Sequence, residues 1–399
     1  MGHLLTTYSR STGLRIGRMK LTEHFYPLPE GVTGYILVCA GSGMEGKNYS
    51  FFSESLYLLR TRLPRDKGMI IVQIGDSKDP KVGADLDLTG KTSLPQYFWL
   101  VKNATLVIAN DSSIIHVAGH YDTPHVAIFS VTNPRVSGAY YGSEEKRRYL
   151  TPDFPAGTTF SFNPNQSPKP CDSINPEQVA HAAQELLGLD VKLAAKTHHI
   201  GEQYLFSALE MIPNHVVDPS SFPNSLLNIR RDLGGDDENV FQQLSLRKCN
   251  LIVNRPLDTA ILKRLVPNID TIIYEIDESH NLKFAEQLRN LGAKYLMVSY
   301  LSKEKLQEFK LDYHELGLIH WKKRYTIADA PSSIPVDAVT YRTNKFLLSA
   351  GKVYGSRAHW RNDIPLDEGG SGPQKIVNSD EFWDEAQFFW IFELEPQTK

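Results

Sequence analysis

The chain has only three cysteines in 399 residues, Cys39, Cys171 and Cys249, and no two of them form a CxxC pair. That scarcity excludes a zinc knuckle and a dense disulfide framework, leaving buried free thiols as the reading. Also missing is any apolar run near the ~20 residues needed to span a bilayer. The stretch Met1 to Lys20 mixes Arg10, Arg15, Arg18 and Lys20 with polar residues and lacks the continuous apolar core of a secretory signal, so a cytoplasmic location is expected. Without such a signal, the Asn-x-Ser/Thr triplets at Asn48 and Asn103 are chance matches. No sign of charge dominates either. Lys and Arg number 20 against 18 acids in residues 1–200 and 23 against 28 in the rest, so neither half is a bulk polycation made for nucleic acid. Repeats and low-complexity tracts are absent.

What is present is an alternation of two periods. Gly34 to Ala40 is a short, nearly continuous apolar run, as expected of a strand buried on both faces. Phe52, Leu56 and Leu59 then recur at helical spacing, and Met69 to Ile74 forms a second strand closed by Gly75. Leu94, Tyr97, Phe98 and Val101 mark another helix, Leu106 to Ala109 and Val126 to Phe129 two more strands, and Val179, Ala182, Ala183 and Leu186 a closing helix. Strands alternating with helices imply a doubly wound sheet, which binds ligands beyond the carboxyl ends of its strands.

The second half repeats this grammar. Asn250 to Asn254, Thr271 to Tyr274 and Tyr295 to Val298 read as strands, separated by helices through Ile261, Leu262 and Leu265 and through Phe284, Ala285, Leu288 and Leu291. Length favours two domains of ~150 residues or more. The fold class expected is α/β with two Rossmann-like lobes: residues 1–195, residues 196–375, and a C-terminal helix in 376–399 packed on the body. The connection is expected in or before the breaker-rich stretch 191–248. Phe346 to Tyr354 reads as a hairpin turning at Gly351, and Glu381 to Phe392 as the C-terminal helix.

The most specific stretches are Asp87-Leu88-Thr89-Gly90-Lys91-Thr92-Ser93-Leu94 and the run from Ala104 to Ala118. The latter reads as strand, sharp polar turn, then helix. Asp111, Ser112 and Ser113 stand where the helix needs its N-cap, so its free first-turn NH groups face the strand-end crevice. Backbone donors, hydroxyls and the positive helix end together suit a diphosphate without a metal ion.

From Tyr35 to about Leu187 the chain resembles the nucleotide-sugar half of the heptosyltransferase family, a GT-B type of glycosyltransferase. The family signature runs Asp-x-x-Gly-x-Thr-x-Leu, a helix, then Leu-Val-x-x-Asn-Asp-Thr/Ser-Gly-x-x-His-x-Ala. Asp87, Gly90, Thr92 and Leu94 match it, as do Leu106, Val107, Asn110, Asp111, Ser112, His116 and Ala118. Further on, Pro124, Phe129, Thr132 and Pro134 match, and Cys171 falls near the family's late Pro-Cys. Ser113 replaces the family's glycine, Ile114 its frequent proline, and Ser130-Val131 its Gly-Pro.

The resemblance implies a GT-B-like glycosyltransferase that moves a sugar, with inversion, from a nucleoside-diphosphate sugar to a hydroxyl acceptor, with no metal or other cofactor. It implies that Ser112 and Ser113 hold the diphosphate with their amides, with His116 orienting the loop or serving as a buried structural histidine. The loop Gly41 to Lys47 brings Ser42, Gly43 and Lys47 to the donor, Lys47 on the phosphate or ribose, and Asp76 is placed to accept from a ribose hydroxyl. The base is implied to be an aspartate after the acceptor lobe's first strand, which points to Asp258; Glu275, Asp277 and Glu278 after the next strand are the alternatives, and Asp258 also reads as a helix N-terminal residue.

The resembled family places its acceptor lobe first, whereas here the order is reversed. Either the chain is a circular permutation or its second half is a different α/β module. The acceptor is expected to be a saccharide or a hydroxylated DNA base, the latter gripped by Lys322, Lys323, Arg324, Arg342, Lys345, Lys352, Arg357 and Arg361 with Trp321, Tyr341, Tyr354 and Trp360 interspersed. A solvated face is the plainer reading of that patch. A third reading is a nucleotide-sugar or glycan-binding protein that has lost the base.

Overall fold

The computed structural model describes residues 2–63, 68–189, 194–279, 281–367 and 372–394. The chain divides into two compact units, Met1–Thr197 and His198–Leu394.

The first unit holds a six-stranded parallel sheet of β1 (Gly34–Cys39), β2 (Met69–Gln73), β3 (Leu86–Asp87), β4 (Leu106–Asn110), β5 (His125–Ile128) and β6 (Arg147–Leu150), in the order β3-β2-β1-β4-β5-β6. Its helices are α1 (Leu4–Thr12), α2 (Phe52–Arg60), α3 (Leu94–Asn103), α4 (Ser113–Tyr121), the short α5 (Pro134–Ser137) and α6 (Pro176–Leu187). The apolar runs explain the architecture. Alternate residues of a strand face opposite sides, and both sides are covered here. Tyr35, Leu37, Cys39, Val72, Ile74, Val107 and Ala109 share one core with Leu100 and Val101 of α3 and Ile114, Ile115 and Ala118 of α4. Their neighbours Ile36, Val38, Ile71, Ile108 and Val126 are as deeply buried on the other side, where α2 packs on α6 and α6 on β4 and β5.

Strand order reverses between β1 and β4, which are adjacent though β2 and β3 intervene in sequence. At such a switch point the connections leave on opposite faces and open a crevice beyond the carboxyl ends. Two loops meet there, the one after Cys39 and the one between Asn110 and Ser113.

The second unit has an eight-stranded sheet in the order β13-β12-β11-β10-β9-β8-β15-β16. Its strands are β8 (Ala208–Met211), β9 (Leu227–Arg230), β10 (Cys249–Val253), β11 (Ile269–Glu275), β12 (Tyr295–Ser299), β13 (Ile319–Trp321), β15 (Lys345–Ser349) and β16 (Lys352–Tyr354). All pairings are parallel except the last, the hairpin of β15 and β16, in which Leu347 faces Tyr354. Ala350 and Gly351 both take positive φ at its turn, the geometry that matches the twist of a two-residue hairpin. The helices are α7 (Asp237–Leu246), α8 (Thr259–Leu265), α9 (Leu282–Leu291), α10 (Lys303–Tyr313), α11 (Arg357–Arg361) and α12 (Asp380–Trp383). Strands β7 (Ala195–Ile200), across which the division of the chain falls, β14 (Val339–Thr343), β17 (Gln374–Lys375) and β18 (Phe389–Leu394) form a further sheet, ordered β17-β14-β18-β7.

The fold therefore corrects the expected C-terminal helix. Between Glu381 and Phe392 the α-helix is confined to α12, a single 3-10 turn covers Ala386–Phe388, and the apolar run from Phe389 is β18, antiparallel to β14 with Tyr341 opposite Ile391. Phe389, Trp390, Ile391 and Phe392 are all fully buried. Consecutive burial of four residues needs an interior strand covered on both faces, which a one-faced docked helix does not provide. Residues 395–399 of the expected helix lie outside the described residues.

Candidate functional site

Asn110 and Asp111 end β4 and organise the crevice of the first unit. The buried Asn110 amide donates to Ala40 O at 2.6 Å and its oxygen accepts from Tyr49 N at 3.1 Å, which ties the loop after β1 to β4. Beside it, Asp111 accepts from Lys47 Nζ at 2.6 Å and from the Thr132 hydroxyl. The Lys47 and Asp111 side chains are only 12% and 5% exposed. A lysine thus stands, held by a carboxylate, at the N-terminus of α4. Ser112 is the N-cap in extended conformation, but its side chain makes no cap bond. The amides of Ser113 and Ile114 lack intrahelical acceptors by their position in the first turn, so the helix presents open donors and its positive end there.

Other residues of the loop serve its own shape. Ser42 donates its amide to Asn48 Oδ1 at 2.8 Å and its hydroxyl to Met44 O at 2.8 Å. A side chain at Gly43 would meet nothing, whereas Gly46 is buried, donating to Pro164 O at 2.7 Å and accepting from Ser130 Oγ at 2.7 Å. Lys169 adds a second cation beneath the loop, on Glu45 at 3.0 Å and Asn48 O at 2.9 Å. His116, one turn into α4, is half-buried. Burial lowers its pKa, with the charge of Asp111 acting the other way, which keeps the imidazole neutral near pH 7.

Asp76 is exposed and accepts from the Lys78 amide at 3.0 Å, closing its own turn. Sequence reasoning missed Asp79, which accepts from the Asp76 amide at 3.0 Å. A Cβ on Gly41 would lie 1.9 Å from its carboxylate and one on Gly75 would lie 2.1 Å away. Two glycines at the ends of β1 and β2 therefore make a seat for one carboxylate, whose pKa burial raises. The signal was the glycine that follows each strand. The Asp87 and Gly90 pair is architectural. Asp87 takes Lys81 at 2.7 Å and the Thr89 amide at 3.0 Å, bonds that hold its pKa well below the usual carboxylate range. The Gly90 amide reaches Gly75 O at 2.9 Å, bracing the same seat.

Residues 70–155 match glycosyltransferase family 9 (heptosyltransferase). That segment is heptosyltransferase-like. It includes Asp76, Asp79, Asp111, Ser112, Ser113 and His116 and excludes the Lys47 loop, which the Lys47–Asp111 and Asn110–Ala40 bonds attach to it. Lipooligosaccharide heptosyltransferase 2 of Haemophilus influenzae is 29% identical over 82 residues, 17% of this chain and 24% of that protein. The solved ADP-heptose lps heptosyltransferase II of E. coli is 21% identical with a TM-score of 0.32, covering 40% of this chain and 48% of that one. The glycosyl transferase family 9 structure from Veillonella parvula gives 20% and 0.37, covering 47% and 60%. The chain thus spans about a quarter of the curated relative's length, and both superpositions are too partial to add to the fold described above.

The four acids named from the sequence as bases lie in the second unit and differ in environment, Glu278 being exposed and paired with Lys305. Asp258 is exposed and caps α8, accepting from Ala260 N at 2.8 Å and Ile261 N at 3.2 Å. Asp277 closes a turn on Ser279 N at 2.9 Å. Glu275, at the end of β11, has a side chain only 17% exposed and is held by an arginine. Burial raises its pKa, while Arg324, 2.8 Å away, opposes the rise.

The basic run from Lys322 to Arg361 is not a free cationic face. Lys323 pairs with Asp329, Arg324 with Glu275 and Asp384, Lys345 with Glu210 and Glu385, Lys352 with Asp363, and Arg357 with Asp384 and Glu385. Tyr341 and Tyr354 are buried, and Arg361 covers the Trp360 ring at 4.4 Å. Five of the eight cations named for DNA are thus paired with carboxylates and most of the aromatic faces are closed, so the structure lends no support to the expectation that this run grips DNA. Among the described residues no helix is long and apolar enough to cross a membrane.

Proposed function

We propose that the chain transfers a sugar from a nucleoside-diphosphate sugar to a saccharide hydroxyl. The carrying observation is the Lys47 ammonium 2.6 Å from Asp111 at the open first turn of α4. In this reading the diphosphate lies on the Ser113 and Ile114 amides, Lys47 turns its remaining N–H bonds to it, and Asp79 accepts from the nucleoside's hydroxyls. Fixed donors facing the phosphate stabilise the charge that grows on the leaving nucleoside diphosphate without reorganising. This favours departure without a metal ion.

The acceptor oxygen bonds to the anomeric carbon as the bond from that carbon to phosphate breaks, with inversion. The acceptor's proton passes to a carboxylate, and we assign that role to Glu275. A pKa raised toward neutrality makes a carboxylate a better base, and the backbone bonds of Asp258 and Asp277 commit those two to turns and caps. Activity is then expected to fall with decreasing pH as Glu275 protonates, with a midpoint shifted upward from that of a solvent-exposed glutamate.

The test is a panel of nucleoside-diphosphate sugars read by thermal shift and by nucleotide release with saccharide acceptors. A donor at ~100 times its dissociation constant raises stability by ~2.7 kcal/mol. Lys47→Gln is expected to shrink that shift, and Glu275→Gln to spare it while abolishing release. Donor binding with no release from any acceptor would instead support a binding protein, and no shift with any donor would refute the reading.

A further inference from the structure

We propose that residues 2–25 form a docking surface for an anionic lipid bilayer. The segment carries Arg10, Arg15, Arg18 and Lys20 and has no acidic residue before Glu23. None of residues 2–30 is buried, yet many are apolar. Tyr8 is 54%, Leu14 71% and Phe25 67% exposed, and Leu4, Leu5 and Met19 are exposed as well. On α1, Leu4, Leu5 and Tyr8 fall within an arc of about 100°, with Arg10 on the opposite side. That is an amphipathic helix whose apolar arc faces solvent.

The segment is nonetheless pinned to the first unit, and by other groups. His3 Nε2 meets Gly138 O at 3.0 Å, Gly17 O accepts from the Tyr141 hydroxyl, and Glu23 pairs with Lys102 at 2.8 Å. The His24 amide donates to Pro95 O at 3.1 Å. Leu21 packs on the core and Phe25 meets Trp99 edge-on at 5.0 Å, so the anchoring uses these and the polar atoms, while Leu4, Leu5, Tyr8 and Leu14 belong to no core cluster and are surplus to the fold. An exposed apolar arc interleaved with cations that pair with no acid among the described residues matches the two demands of an anionic bilayer surface, insertion into the interface and attraction to headgroups. A nucleic-acid backbone would use the cations and leave the leucines idle.

The experiment is co-sedimentation of the full chain with vesicles of phosphatidylcholine plus phosphatidylglycerol, against pure phosphatidylcholine, with gel shift of duplex DNA as a parallel arm. Binding is expected to the mixed vesicles alone and to weaken with salt. The triple change Arg10→Glu, Arg15→Glu, Arg18→Glu is expected to lower the partition coefficient about ten-fold or more. Leu4→Ser, Tyr8→Ser and Leu14→Ser together are expected to reduce it without a change of charge. All six side chains are exposed or lie outside the pinning contacts, so unaltered thermal unfolding checks that the fold is kept. Failure to sediment with the mixed vesicles, sedimentation unmoved by the serine variant, or DNA binding as strong as vesicle binding would each overturn the proposal.

Discussion

The two units answer the same problem, polar groups gathered at the ends of parallel strands, in opposite ways. In the first, the crevice beyond β1 and β4 keeps donors open: the first-turn amides of α4, and Lys47 held by one carboxylate. In the second, charges near the eight-stranded sheet saturate one another. Glu210 and Glu385 are buried and meet Lys345 at 3.3 and 2.7 Å, Arg230 meets Glu210 and Asp232 at 2.7 Å each, and Arg357 and Arg324 extend the chain of pairs to Asp384 and Glu275. Architecture alone therefore does not mark a ligand site. What marks it is whether the polar groups brought there already have partners.

The largest expected effect sharpens this contrast. Lys345→Ala removes the cation that the buried Glu210 and Glu385 share, leaving each with one arginine, Arg230 and Arg357. Breaking a buried pair costs ~3–5 kcal/mol, and the remaining arginines place this loss at the low end, about 3 kcal/mol. Chemical denaturation is expected to show that loss, with donor binding per folded molecule unchanged. Next is the carboxylate seat of the first unit. Gly41→Ala puts a methyl where the Asp79 carboxylate lies, an overpacking expected to cost about 1–3 kcal/mol. In the Asp79→Ala background the same change is expected to be nearly free, and additive losses would show that the seat is not what excludes a side chain. The smallest effect is at the hairpin, where Ala350 holds a φ of 49°. Asparagine tolerates that region better than alanine and forms the preferred Asn-Gly turn, so Ala350→Asn is expected to add roughly 0.5 kcal/mol.

Much of the first unit was legible because its strands are buried on both sides, which writes them as unbroken apolar runs such as Tyr35 to Cys39. The strand–turn–helix of Asn110 to Ser113 was legible for the same reason, its polar turn standing between two apolar stretches. Asp79 was not, since its place depends on the space above two glycines distant in sequence. Nor was the pairing of Lys345, Arg357 and Arg324, because an ion pair across 40 or 60 residues leaves no local period. The run after Phe389 misled for a physical reason: acids and aromatics in alternating clumps fit a helical stripe as readily as a strand until the partner strand β14 is known.

The central claim is that backbone amides at the start of α4 grip a diphosphate, and Ser113→Pro tests it most directly. Ser113 is the first residue of the helix, where proline fits without loss of an intrahelical bond, and Ser112 is already extended. The substitution removes the amide N–H together with the hydroxyl that lies 3.5 Å from Tyr97 Oη, so Ser113→Ala, which loses the hydroxyl alone, is the reference. Titration calorimetry with the nucleoside diphosphate of the best donor is expected to show affinity reduced about 10- to 100-fold, the ~1.5–3 kcal/mol of a hydrogen bond to a charged group, at unchanged melting temperature. Equal affinity in the wild type and the proline variant would contradict the account.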